Sequence, residues 1–105
     1  MLVEFSKEYL ERLYLHGDSG EKKFRFPTAA IKGYQKAINF LLAANKIEDL
    51  FQFNSLHYKV LEGDKKGISS VRANDQYRVE FLVTNTADTI SITICNILEL
   101  TNHYK

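Results

Sequence analysis

At 105 residues, 45% of them hydrophobic, the chain is expected to form a single domain, residues 1–105, that buries roughly two thirds of its unfolded surface around one core. Fourteen Lys and Arg against thirteen Asp and Glu give a formal charge of +1, which excludes a domain that holds nucleic acid by bulk charge alone. The single cysteine, Cys95, excludes an intrachain disulfide, so a reducing cytoplasm is the expected compartment.

Leu2–Phe5 alternates as a short first strand. Ser6 is placed to cap a helix behind it, in which Tyr9, Leu10, Leu13 and Tyr14 recur at helical spacing, with Gly17 as a left-handed terminator. Asp18–Phe26 is polar and glycine-containing, a loop that either is simply solvated or contacts nucleic acid through Lys22, Lys23 and Arg25. Pro27, the only proline, suits the first turn of a second helix. Ile31, Tyr34, Ile38, Leu41 and Leu42 give that helix an apolar stripe to lay on a sheet. Gly33 inside it costs about 1 kcal/mol relative to alanine. Asn45 is the expected stop, and Ile47–Phe53 adds a short turn whose Leu50, Phe51 and Phe53 close the core.

From Leu56 the period changes to two. A strand runs over Leu56–Leu61 to a turn at Glu62–Gly67. The next strand sets Ser69, Val71 and Ala73 against Ile68, Ser70 and Arg72, and an Asn-Asp turn follows. Tyr77, Val79, Phe81 and Val83 then alternate with Arg78, Glu80, Leu82 and Thr84. After a turn at Asn85–Asp88, Thr89–Leu98 reads as a last strand with Ile90, Ile92 and Ile94 on one face. The expected fold is α+β, with two N-terminal helices packed on one face of a four- to five-stranded, mainly antiparallel sheet. Its other face stays open and carries Arg72 and Arg78. The longest uninterrupted apolar run, Phe40–Ala44, is far short of the roughly 18 residues of a membrane span, and the chain opens without the basic-then-apolar pattern of a signal peptide.

No phosphate-binding glycine loop or serine-hydrolase elbow is present. His16 with Asp18 could begin a metal site, but His57 and His103 lie in distant segments, so neither metal nor cofactor is expected. Lys59, Arg72, Arg78, His103 and Tyr104 supply what metal-free RNA cleavage needs: a group to take the proton of the ribose hydroxyl, cations around the phosphate, and an acid for the leaving oxygen. Each has an ordinary reading too. Arg78 could pair with Glu80 two residues on, Lys59 could be a solvated edge residue, and His103 could belong to a frayed tail.

Leu61-Glu62-Gly63-Asp64-Lys65-Lys66-Gly67, Ser70-Val71-Arg72, Asn74-Asp75-Gln76-Tyr77-Arg78-Val79-Glu80-Phe81 and Thr101-Asn102-His103-Tyr104 together resemble the RelE/HigB toxins, in particular the HigB, or plasmid-maintenance killer, branch. The resemblance implies a microbial-RNase-like fold and a ribosome-dependent mRNA endonuclease, an mRNA interferase that cuts in the decoding site and inhibits translation. It also implies a cognate helix-turn-helix antitoxin of the HigA type, with the toxin itself monomeric outside that complex. Carried over by position, Arg78 matches the arginine after the family's aromatic, here Tyr77, and His103 matches the C-terminal histidine. Lys59 falls where the branch often has a histidine, and Glu62 stands at the position of its nearby lysine. Arg78, His103, Lys59 and Tyr104 are the expected catalytic set, with Arg72, Lys65 and Lys66 on RNA. The family's tail commonly ends Asp-Tyr-His, whereas this chain has Thr101-Asn102-His103 before Tyr104. That departure leaves a non-catalytic protein-binding module of the same fold as the alternative.

Overall fold

The computed structural model describes residues 1–86 and 90–102. In chain order they form β1 (Leu2–Phe5), α1 (Glu8–His16), α2 (Thr28–Ala43), β2 (Lys59–Val60), β3 (Ser69–Arg72), β4 (Tyr77–Asn85) and β5 (Thr93–Asn102), with short 3-10 turns in the connections. The strands make one sheet in the order β1-β5-β4-β3-β2. β1 runs parallel to β5 and the remaining pairings are antiparallel.

The apolar faces of α1 and α2 meet one side of this sheet. Tyr9, Leu10 and Leu13 from α1 and Tyr34, Ala37, Ile38 and Leu41 from α2 pack with Val71, Val79, Phe81, Cys95, Ile97 and Leu100 into one core. The Tyr34 hydroxyl donates to the Leu10 carbonyl at 2.8 Å, so the largest side chain between the helices also has its polar atom satisfied. Gly17 ends α1 at φ 71°, as its position suggested, and its N–H donates to Leu13 O at 3.0 Å.

Several boundaries differ from the sequence reading. Ser6 does not cap α1; its N–H donates to Ile97 O at 2.9 Å, extending the β1–β5 ladder, and Lys7 takes the cap position. Pro27 stands one residue ahead of α2, whose C-cap is Ala44 rather than Asn45. Leu42 lies exposed, while Ala30 and Ala37 are buried, Ala37 within the core against the sheet. Leu50 is buried but Phe51 and Phe53 are exposed, so only one of the three closes the core.

The expected Leu56–Leu61 strand pairs only at Lys59–Val60, because Asn54–Leu56 is a 3-10 turn ended by His57 in the left-handed region at φ 47°. The last strand is Thr93–Asn102 instead of Thr89–Leu98. Ile90 and Ile92 are exposed outside it, and Ala87, Asp88 and Thr89 lie outside the described residues. A bulge between Glu80 and Phe81 shifts the β4–β5 register from Glu80↔Glu99 to Phe81↔Ile97. The extra residue on β5 switches the inward-facing parity, which is how Cys95, Ile97 and Leu100 all reach the core.

Candidate functional site

The face of the sheet turned away from the helices is organised by register. Along one row Lys59 on β2 stands beside Ser70 on β3, Ser70 beside Glu80 on β4, and Glu80 beside Glu99 on β5. Along the next, Arg72 stands directly opposite Arg78, and Arg78 opposite Thr101. Neighbouring strands are about 4.8 Å apart, so Arg72 and Arg78 share one surface, as the period-two reading expects, and the β2–β3 register brings Lys59 onto it as well.

Two arginines directly opposite each other repel, and each is held by something else. The Arg72 guanidinium pairs with Asp75 in the following turn. Arg78 Nη1 donates to the carbonyls of Asn74 at 2.7 Å and Tyr77 at 3.1 Å. The turn that supplies these partners is itself built by Asn74, whose Oδ1 accepts from the N–H groups of Gln76 at 3.0 Å and Tyr77 at 2.8 Å. This side chain mimics a backbone turn, the reason asparagine favours such positions. Arg72 and Arg78 are therefore positioned by a turn of a few residues, with little freedom left to lose when a phosphate arrives.

Lys65 Nζ lies 3.0 Å from both carboxylate oxygens of Glu80, and the Glu80 side chain is only 8% exposed. Glu80 thus bonds to the Gly63–Lys65 turn, where the sequence left open a simple pairing with Arg78. This pair ties the Glu62–Gly67 connection down over the open face. Lys66 stays exposed at the end of that turn, its N–H donating to Gly63 O at 3.1 Å. Glu80 and Asp75 were not singled out as site residues, and only the three-dimensional pairing reveals their work. Asn74 had a local signal, its place at the head of an Asn-Asp turn.

β5 carries the chain to Asn102, opposite Tyr77. His103 and Tyr104, expected to move protons, lie outside the described residues. Tyr77 itself faces the helix layer and meets Phe26 edge to face at 5.7 Å, a packing role. Among the described residues no group of three or more His, Cys, Asp or Glu is arranged to hold a metal ion.

Residues 3–92 match the family of HigB-like toxins, the RelE-like toxin of type II toxin-antitoxin system HigB. That match ends before β5. Among solved structures, the fold is similar to that of a YoeB/ParE toxin from Agrobacterium tumefaciens, with a TM-score of 0.51 and 14% sequence identity over 99% of this chain and 100% of that one. At that identity the likeness concerns the fold alone, which is RelE-like. Comparison with curated proteins gives no match.

Proposed function

The chain belongs to the HigB-like family of RelE-like toxins of type II toxin-antitoxin systems, and from that premise we propose that it is a ribosome-dependent mRNA endonuclease that inhibits translation. Toxins of this family are generally ribonucleases, and a type II toxin implies an antitoxin partner; a HigA-like helix-turn-helix protein is the partner proposed here. The observation that carries the reading is the Arg72–Arg78 juxtaposition on the open sheet face. Opposed cations weaken a sheet, but they suit a phosphate that gains negative charge during reaction.

In the proposed reaction the ribose 2′-hydroxyl attacks the adjacent phosphorus while its proton passes to a base. The bond from phosphorus to the 5′-oxygen breaks and that oxygen takes up a proton, leaving a cyclic phosphate and a 5′-hydroxyl. Arg78 and Arg72 stabilise the equatorial oxygens, Lys59 assists from the neighbouring strand, and His103 or Tyr104 handles a proton. Lys65 and Lys66 line the approach of the RNA strand. With a formal charge of only +1, the protein relies on the ribosome to hold the messenger in place.

Induced expression should arrest growth and produce cuts in translated mRNAs only. Arg78→Ala is expected to slow cleavage roughly 10²–10³-fold, the cost of losing one preorganised charge stabiliser, and His103→Ala to relieve the arrest as well. If both variants remain as toxic as the parent while folded by circular dichroism, the site is wrongly assigned. A neighbouring antitoxin gene with no arrest on expression would favour a non-catalytic binding module instead.

A further inference from the structure

The two arginines of the open face are held by partners of different charge. Arg78 Nη1 donates to the neutral carbonyls of Asn74 and Tyr77. The Arg72 guanidinium instead meets a carboxylate, that of Asp75, three residues on. Within this pair Arg72 has the settled side chain, 30% exposed, and Asp75 the loose one, 89% exposed. Arg72 borders a small hollow with Gly33 and Ala73, where α2 closes on the turn, and exposed Lys36 borders the same hollow.

The turn does not need the Asp75 carboxylate. Its backbone is closed by the Asn74 side chain, which accepts from the Gln76 and Tyr77 N–H groups, and by the Tyr77 carbonyl, which accepts from the N–H groups of Ala73 and Asn74. An exposed pair between near neighbours also adds little to stability. Its larger consequence is electrostatic. Arg72 stands opposite Arg78 and shares a hollow with Lys36, and Asp75 relieves the repulsion among these like charges in the free protein. An RNA phosphate relieves it in the same way, since carboxylate and phosphate take the same fork of guanidinium donors. The two anions therefore compete for Arg72.

We propose that Asp75 is an internal stand-in for the substrate phosphate: it occupies Arg72 in the free toxin, gives it up to a phosphodiester of bound RNA, and so lowers affinity for RNA that is not firmly held. The proposal rests on the RNA-cleaving reading above and adds a regulating residue to that site. Asp75 touches no reacting atom and acts through Arg72. The exchange needs little rearrangement, because the exposed carboxylate turns into water while the arginine stays in place. The fraction of toxin with Arg72 unoccupied sets how far the apparent affinity falls below the intrinsic one.

The test is a double-mutant cycle on Arg72→Ala and Asp75→Asn. It measures binding, over a salt series, to ribosomes programmed with a messenger that carries 2′-O-methyl nucleotides in the decoding site and so cannot be cut. Asp75→Asn should bind about two- to fivefold more tightly than the parent, the range that an exposed ion pair covers. Its slope of log affinity against log salt should steepen by about 0.7, the effect of one more net cation on a single strand. Arg72→Ala should weaken binding, and in that background Asp75→Asn should gain clearly less than it does in the parent. Circular dichroism melts of the four proteins should lie close together, because the hydrogen bonds that close the turn remain. If Asp75→Asn binds no more tightly than the parent while Arg72→Ala binds more weakly, the proposal alone is overturned. An equal gain in both backgrounds also overturns it, marking Asp75 as a general repulsive charge. Arg72→Ala that binds like the parent removes the site assignment as well, and a parent that binds programmed ribosomes at no salt concentration removes the ribosome-dependent reading.

Discussion

Gly33→Ala is the substitution for which sequence and structure disagree most sharply. By helix propensity alone, alanine in the middle of α2 should stabilise the protein by about 1 kcal/mol. In the fold, a β-carbon at Gly33 would lie 1.9 Å from the Ala73 carbonyl oxygen and 2.6 Å from its carbon. Contacts of this kind are essentially never below 3.0 Å, so the helix or the turn must move by at least 1.1 Å (3.0 − 1.9). The turn resists, since the Tyr77 carbonyl already accepts from Ala73 N at 2.9 Å and from Asn74 N at 3.2 Å. Overpacking against a fixed neighbour costs about 3 kcal/mol at the upper end of its range, which outweighs the propensity gain and leaves a net loss of about 2 kcal/mol. For a domain of this size that lowers Tm by roughly 10 °C. Urea denaturation and thermal melts followed by circular dichroism measure both quantities. Because Ala73 follows Arg72 directly, the proposed mRNA cleavage should fall too, by up to about 10²-fold for an ångström of misplacement. A Gly33→Ala protein as stable as the parent, or more so, refutes the reasoning.

Lys65→Ala leaves the Glu80 carboxylate nearly buried without its ammonium and should cost roughly 1–2 kcal/mol, below the full buried-pair penalty because Lys65 is itself half exposed. Adding Glu80→Gln to that variant should recover part of the loss, read from denaturation midpoints. Burial raises the Cys95 thiol from 9.0 to about 11, against the opposing pull of the N-terminal ammonium. Burial first, then the Glu99 charge, raises Tyr9 from 10.0 to about 12, with a backbone hydrogen bond from Leu100 acting the other way. Tyr34 is pushed up further, by burial and then by Tyr9. The unfolded chain therefore releases these protons at lower pH than the folded one, so their effect is absent below about pH 9 and stability falls as pH rises through 9 to 12. Tm should drop across that window, and iodoacetamide should label Cys95 only as fast as the protein opens; rapid native-state labelling at pH 8 contradicts the burial argument.

Most of the helical layer was legible in the sequence because a 3.6-residue stripe is local information. Tyr34, Ile38 and Leu41 could be placed in the core with no knowledge of what they pack against. The last strand was misplaced because Ile90, Ile92 and Ile94 imitate a buried alternation. The residues that do face inward, Cys95, Ile97 and Leu100, break the alternation at a bulge that only pairing with β4 creates. In the candidate site, Arg72 and Arg78 could be assigned to one face by counting in twos. The grip of Glu80 on Lys65 could not, since the partners are separated by 15 residues and meet only when the 62–67 turn folds over the sheet.

The strand order gives β5 a place in time as well as in space. It lies between β1 and β4, so the earliest strand to leave the ribosome during synthesis has no neighbour in the sheet until the latest one is made. α1, α2 and the β2–β3–β4 meander can form contacts while the chain grows, but the inner surface they cover lacks Cys95, Ile97 and Leu100. Domains generally fold as units once their parts are available. For this topology, maturation of the cationic face therefore waits on translation of the closing segment, and a chain halted before Thr93 stays without the strand that joins β1 to β4.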